Sequence, residues 1–243
     1  MQNRYAGDVG DFGKLGMLRK IALAGLSIGV NWYLVPDEHH NEDGKHIAYL
    51  QNPDFYDCDE VLLGQLGRMV YENQRSVSAL ERLDLLPNAR YYHHELDAPG
   101  TPNGDRNSWH KQALNTLSPC DIVFLDPDNG MLVKSVSPTS KKSNKYVFLE
   151  ELADYYAAGK SVIFYNHRSR TQESEYLDRF CKTLDNERFP NAQLKGLKFV
   201  RGTIRDYFFV VHSTHDTLVE RAISELLSSK WNCHFKQLDL SQS

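Results

Sequence analysis

At 243 residues, with 41% hydrophobic and 25% charged residues, the chain has the size and composition of one large globular domain with a substantial core. A formal charge of −4 and a pI near 6.2 argue against a protein that coats nucleic acid by bulk electrostatics, while leaving room for a local basic groove. Four cysteines (Cys58, Cys120, Cys181 and Cys233) stand without CxxC or metal-ligand spacing, so they read as reduced thiols rather than as a disulfide framework or a zinc knuckle.

Residues 1–14 are polar and carry no apolar signal-peptide core. The most apolar stretch, 21–36, is interrupted by Gly25, Ser27, Gly29 and Asn31 and is too short to span a bilayer. The expectation is a cytoplasmic protein with no membrane partner. Residues 15–26 have the apolar spacing of a helix, with Lys14, Arg19 and Lys20 on its polar side. Residues 30–36 read as a buried strand stopped by Pro36 and a very polar loop. Asp59 is placed to cap a helix starting near Glu60, and a second helix over 76–85 ends before Pro87; together they form a helical insertion at about 55–88. A short strand is expected over 89–93, a Pro-, Gly- and Asp-rich loop over 97–107, and a helix over 109–117 capped by Ser108.

The clearest strand is 120–125, an apolar run that ends abruptly in Asp126-Pro127-Asp128-Asn129-Gly130. Residues 133–144 read as a mobile loop rich in Ser and Lys, followed by a helix over 147–158 that Gly159 stops. Residues 161–165 form another buried strand ending in Asn166-His167-Arg168-Ser169-Arg170, and helix resumes over 172–184. Alternation over 194–200 and 204–212 around Arg201-Gly202-Thr203 predicts an antiparallel hairpin, followed by a helix over 216–228 and a strand over 233–238. Helices alternating with short apolar strands predict a single Rossmann-like α/β domain over 1–243. Its sheet is expected to be mostly parallel and twisted, covered by helices on both faces, with the antiparallel hairpin at its C-terminal end.

In such sheets ligands bind beyond the carboxyl ends of the strands. Three strands deliver polar clusters there: 37–44, 126–130 and 166–170. Asp126, at the tip of a buried strand and fixed by Pro127, is placed to accept a proton or a hydrogen bond from an amino group. Asp128 and Asn129 follow it, and His167 suits general acid–base work because the unperturbed imidazole pKa lies near neutrality. Arg168 and Arg170 are natural substrate-phosphate contacts. Within 37–44, Glu38, His40 and Asp43 offer oxygen and nitrogen ligands for a divalent ion, or an acidic residue there holds a nucleotide ribose. Three glycines, two aspartates and a tyrosine in residues 5–14 suggest a defined conformation at a helix N-terminus; the P-loop spacing is absent.

The order of these features resembles the large-subunit ribosomal RNA adenine-N6 methyltransferase J family. Ala6, Gly7, Asp11 and Lys14 fall in register with its opening segment, and Phe124-Leu125-Asp126-Pro127 occupies the place of its Asp-Pro-Pro-Tyr motif. The likeness is one of layout over most of the chain. It implies a methyltransferase fold with S-adenosylmethionine as cofactor and amino groups of nucleic acid as the substrate class. It also implies that Tyr5, Lys14 and Asp37 or Glu38 approach the cofactor while Asp126 holds the target amino group. The chain departs from that pattern where residues 38–43 replace a glycine-rich loop, and where Asp128-Asn129 replace Pro-Tyr and with it the stacking aromatic.

Two other readings follow from the same residues. The surplus of carboxylate and histidine (Glu38, His40, Asp43, Asp126, Asp128, Glu150, His167) suits a hydrolase or nuclease using Mg²⁺ or Mn²⁺. The altered motifs themselves suit a non-catalytic binding module derived from the fold.

Overall fold

A computed structural model describes residues 1–38, 44–102, 104–168, 171–201 and 203–240. In chain order the elements are α1 (Val9–Leu23), β1 (Ile28–Asn31), α2 (Glu60–Tyr71), α3 (Val77–Arg82), β2 (Arg90–Tyr92), α4 (Arg106–Leu117) and β3 (Ile122–Leu125). There follow β4 (Gly130–Met131), β5 (Tyr146–Val147), α5 (Leu149–Ala157), β6 (Ser161–His167), α6 (Glu173–Leu184), β7 (Gln193–Arg201), β8 (Thr203–Val211), α7 (Ser213–Ser228) and β9 (Phe235–Gln237). Seven strands form one mixed sheet in the order β2-β1-β3-β6-β8-β7-β9, and β4 with β5 forms a small separate ladder. β2, β1, β3 and β6 are mutually parallel, whereas β8 is antiparallel to both β6 and β7. The α/β class and the C-terminal antiparallel hairpin are therefore as the sequence predicts.

Alternation along the central strands assigns the two faces. Ile122 and Phe124 join the core beneath α1, α2, α3 and α7, while Val123 and Leu125 join the one beneath α4, α5 and α6. A sheet covered on both faces explains why β1 and β3 are apolar runs rather than alternating ones. No described helix is long and apolar enough to cross a membrane.

Several boundaries differ from expectation for identifiable reasons. The expected strand over 30–36 stops at Asn31, whose buried side chain accepts from Tyr33 N–H (3.1 Å) and donates to the Tyr155 hydroxyl (3.2 Å). Tyr33 then takes a positive φ of 45°, and Leu34 and Val35 run buried but outside the sheet before the chain emerges at Pro36. α1 begins at Val9 rather than Leu15, because Asp8 caps it by accepting from Asp11 N–H. α4 is capped by Asp105 rather than Ser108. Gly202, expected at the hairpin turn, lies outside the described residues.

The glycines of α1 were legible as unusual but not as packing devices. A side chain on Gly13 would stand 2.8 Å from the Phe199 ring, and one on Gly16 only 2.2 Å from the Trp231 ring. Spaced three apart, they let the helix backbone settle directly onto the sheet and the C-terminal segment. That close approach brings the first turn of α1 to the carboxyl ends of the central strands.

Candidate functional site

A cleft of about 450 Å³ opens at the carboxyl ends of β3 and β6 and the amino end of β8. Its size falls in the range of about 300–1,000 Å³ usual for small-molecule sites. It joins parts of all three predicted clusters: Glu38 and Gly44 from the first, 126–129 from the second, and His167 from the third. The floor is a buried ion cluster. Lys14 Nζ lies 2.7 Å from Asp11 Oδ1 and 2.5 Å from Asp126 Oδ2, with all three side chains almost wholly buried. Asp11 is held in turn by Gly7 N–H, which donates to its Oδ2 at 2.8 Å. Trp32 places its ring 5.1 Å from Lys14 Nζ and so lids the cation from the β1 side.

Two carboxylates here share one ammonium. Burial pushes Asp126 above the ordinary carboxylate value, against the pull of Lys14, and burial likewise raises Asp11. The same two charges hold the Lys14 ammonium well above its usual value despite burial. The floor thus retains a proton-accepting character that a simple one-to-one pair lacks.

Asp128 has a different partner. Its Oδ1 stands 2.7 Å from the Met1 ammonium as an ion pair without hydrogen-bond geometry, and its Oδ2 accepts from Gln2 Nε2 at 2.6 Å. Burial alone would raise this carboxyl, but the ammonium and Gln2 outweigh it and hold Asp128 below its usual value. The same ammonium donates to the carbonyls of Tyr33 and Asp126. Asn129 contributes backbone here: its N–H donates to Lys145 O and its carbonyl accepts from His167 N–H. Gly130 holds φ at +100°, and a Cβ there would fall 2.0 Å from Asn166 Oδ1, which already accepts from Met131 N–H. This contact locks the turn after β3 to the end of β6.

His167 is exposed at the cleft wall with Nδ1 3.3 Å from the Tyr165 hydroxyl, and burial raises the Tyr165 and Tyr207 phenols beside it. Tyr5 also lines the cleft, its hydroxyl accepting from Gln2 and Arg4. Glu38 lines it while paired with Lys145 at 2.5 Å. Asp37 instead accepts from Arg4 N–H and is not part of the lining.

Arg168, expected to bind substrate phosphate, forks onto fully buried Asp206 (2.8 and 2.7 Å), also pairs with Glu173, and does not line the cleft. Its role is to tie β6 to β8. Arg170, His40 and Asp43 lie outside the described residues, and Glu150 pairs with Arg188 away from the cleft. Among the described residues no group of three or more His, Cys, Asp or Glu is arranged to hold a metal ion.

Sequence reading missed Asp8, Lys145, Arg205 and Tyr165 as lining residues. Asp8, Asp11 and Lys14 are spaced three apart on one helix face, a signal present in the sequence. Arg205 had none, since the antiparallel register His167↔Arg205 alone brings it to the cleft.

Comparison with protein-family models finds no match, and neither does comparison with curated proteins. Among solved structures the chain is similar to protein LPL1258 from Legionella pneumophila str. Philadelphia 1, described under the family model DUF519. The likeness covers 96% of this chain and 97% of that one at a TM-score of 0.48 and 10% identity.

Proposed function

We propose that the chain is a Rossmann-like, S-adenosylmethionine-dependent methyltransferase acting on an amino group. The observation that carries this reading is the position of Asp126. It is the first residue beyond β3, beside β1, where the chain passes from one side of the sheet to the other. Ligands of doubly wound sheets bind at that reversal of strand order. The donor set of the cleft fits the cofactor: buried carboxylates suit a sulfonium and an α-ammonium, Lys145 and Arg205 suit a carboxylate, and Tyr5 and Tyr165 offer aromatic surface.

Bound there, S-adenosylmethionine supplies an electrophilic methyl group. The residues of the chain do the rest. Asp126, raised by burial, accepts a hydrogen bond from the target amino group and takes the proton that the nitrogen sheds after methyl transfer. Lys14 keeps that carboxylate in place. The Asp128 carboxylate, held ionised by its neighbours, gives the cleft a second negative charge.

Calorimetric titration with S-adenosylmethionine and with its demethylated product tests the reading. Binding of both, lost in Asp126→Asn or displaced by Mn²⁺ only at high concentration, is expected. No heat at millimolar ligand with the protein folded sinks it.

A further inference from the structure

The segment between β4 and β5 adjoins the cleft through Lys145. Residues 131–146 carry four lysines (Lys134, Lys141, Lys142 and Lys145), five serine or threonine side chains and no acidic residue, in a chain whose net charge is −4. Lys134, Lys141 and Lys142 are exposed and make no ion pair among the described residues. Lys145 reaches the cleft itself.

This stretch is anchored, not loose. Arg106 donates to Ser143 O at 3.0 Å and to Tyr146 O at 2.6 Å while its guanidinium lies 3.6 Å from the Phe148 ring centre. Asn144 Nδ2 donates to Leu96 O, and Ser143 and Asn144 are both buried. At the other end, the β4–β5 ladder ties Gly130 to Tyr146 next to Asn129. A solvated charged loop needs none of these fixtures. One anchored segment thus joins Lys145, which lines the cleft, to three exposed lysines, and so pre-orders donors for an extended polyanion that runs past the cleft.

We infer that residues 131–146 form a flap that grips the phosphodiester backbone of a nucleic-acid strand, so that a base amino group is presented to the cleft. The second half of that statement rests on the methyl-transfer reading; the grip does not. The shared chemistry is the phosphodiester, and RNA and DNA are the two sources to compare.

The test is fluorescence anisotropy with labelled single strands of RNA and of DNA, from about 50 to about 300 mM KCl, on the wild-type chain and on Lys134→Glu/Lys141→Glu/Lys142→Glu. Each phosphate contact contributes about 0.7–0.9 to the slope of log affinity against log salt, so the variant's slope is expected to fall by about 2–3 and its affinity at least about ten-fold. Unchanged melting temperature and unchanged S-adenosylmethionine titration in the variant separate loss of grip from loss of fold or cofactor. Absence of strand binding at the lowest salt, a variant with the wild-type slope, or equal binding of poly-glutamate overturns the proposal. Strand binding with no S-adenosylmethionine heat leaves the flap standing and removes the methyl-transfer reading.

Discussion

The two ends of the sheet use the same side-chain types to opposite effect. At the amino end, Asp121 accepts from Ser27 N–H and Oγ, Ser161 Oγ lies 2.9 Å from His215 Nδ1, and His215 Nε2 lies 3.9 Å from Asp121 Oδ1. Serine, histidine and aspartate are in sequence there, yet Ser161 is fully buried and also receives His212 N–H, so its oxygen is a joint between β6 and α7. Each group is matched by a neighbour. At the carboxyl end, two buried carboxylates divide one lysine and face a cleft. Matched polar groups make a fastening; mismatched ones beside a cavity make a site.

The sharpest way to break this contrast is to remove the shared cation. Lys14→Met leaves Asp11 and Asp126 buried without their ammonium, and a stripped buried ion pair costs about 3–5 kcal/mol. Urea denaturation should show a loss of that size, whereas Asp126→Asn, which leaves Lys14 with Asp11 alone, should change stability by about 1 kcal/mol or less while abolishing cofactor binding. Equal destabilisation by both variants would mean that the cluster is a fastening after all.

How much of this was legible in the sequence follows the range of the forces involved. The apolar runs of β3 and β6 and the polar turns behind them are local, so the sequence showed Asp126, Asp128 and His167 at the strand ends that line the cleft. Short-range hydrogen bonding defeated the reading of β1, because the Asn31 side chain ends the strand from within a continuous apolar run. Long-range pairing hid the rest. Arg205 reaches the cleft only through β6–β8 register, and Arg168 leaves it because Asp206, 38 residues on, takes its guanidinium. Charge type was visible in both; direction was not.

Asp128 offers a second test through pH. Its folded value lies below the usual 3.8, so the unfolded chain binds a proton more readily and its stabilising contribution is fully present above 3.8. That contribution is lost as the pH falls below 3.8 toward the folded value. Asp11 and Asp126, raised by burial, act with the opposite sign and lose stability as the pH rises above 3.8. Asp128→Asn should therefore cost about 1.5–3 kcal/mol near neutrality, the scale of a hydrogen-bonded charge, and the gap from wild type should close in acid. A gap that persists unchanged below 3.8 would show that the carboxylate's charge is not what stabilises.

Gly130→Ala probes the lock between the two site-bearing turns. A methyl group at φ +100° meets Asn166 Oδ1, so that side chain must give up the Met131 N–H that its Oδ1 accepts or the Tyr176 hydroxyl to which its Nδ2 donates. Strain of about 1–3 kcal/mol is expected, together with weaker cofactor binding as Asp128 and His167 lose register. Destabilisation without any effect on binding would separate the lock from the site.

The smallest effect belongs to the amino end. Burial holds His215 below its usual 6.5, more strongly than the Asp121 charge raises it. A lowered folded value means that the unfolded chain gains the proton first, so His215 stabilises above 6.5 and that contribution drains away as the pH falls. His234 is shifted in the same direction by burial and shares the slope. His215→Gln should therefore flatten the fall in stability between about pH 7.5 and about pH 5.5 only in part, by about 1 kcal/mol or less, with cofactor and strand binding untouched. If instead the substitution changes binding at the far end of the sheet, the two poles are coupled, and the division between fastening and site fails at its weakest point.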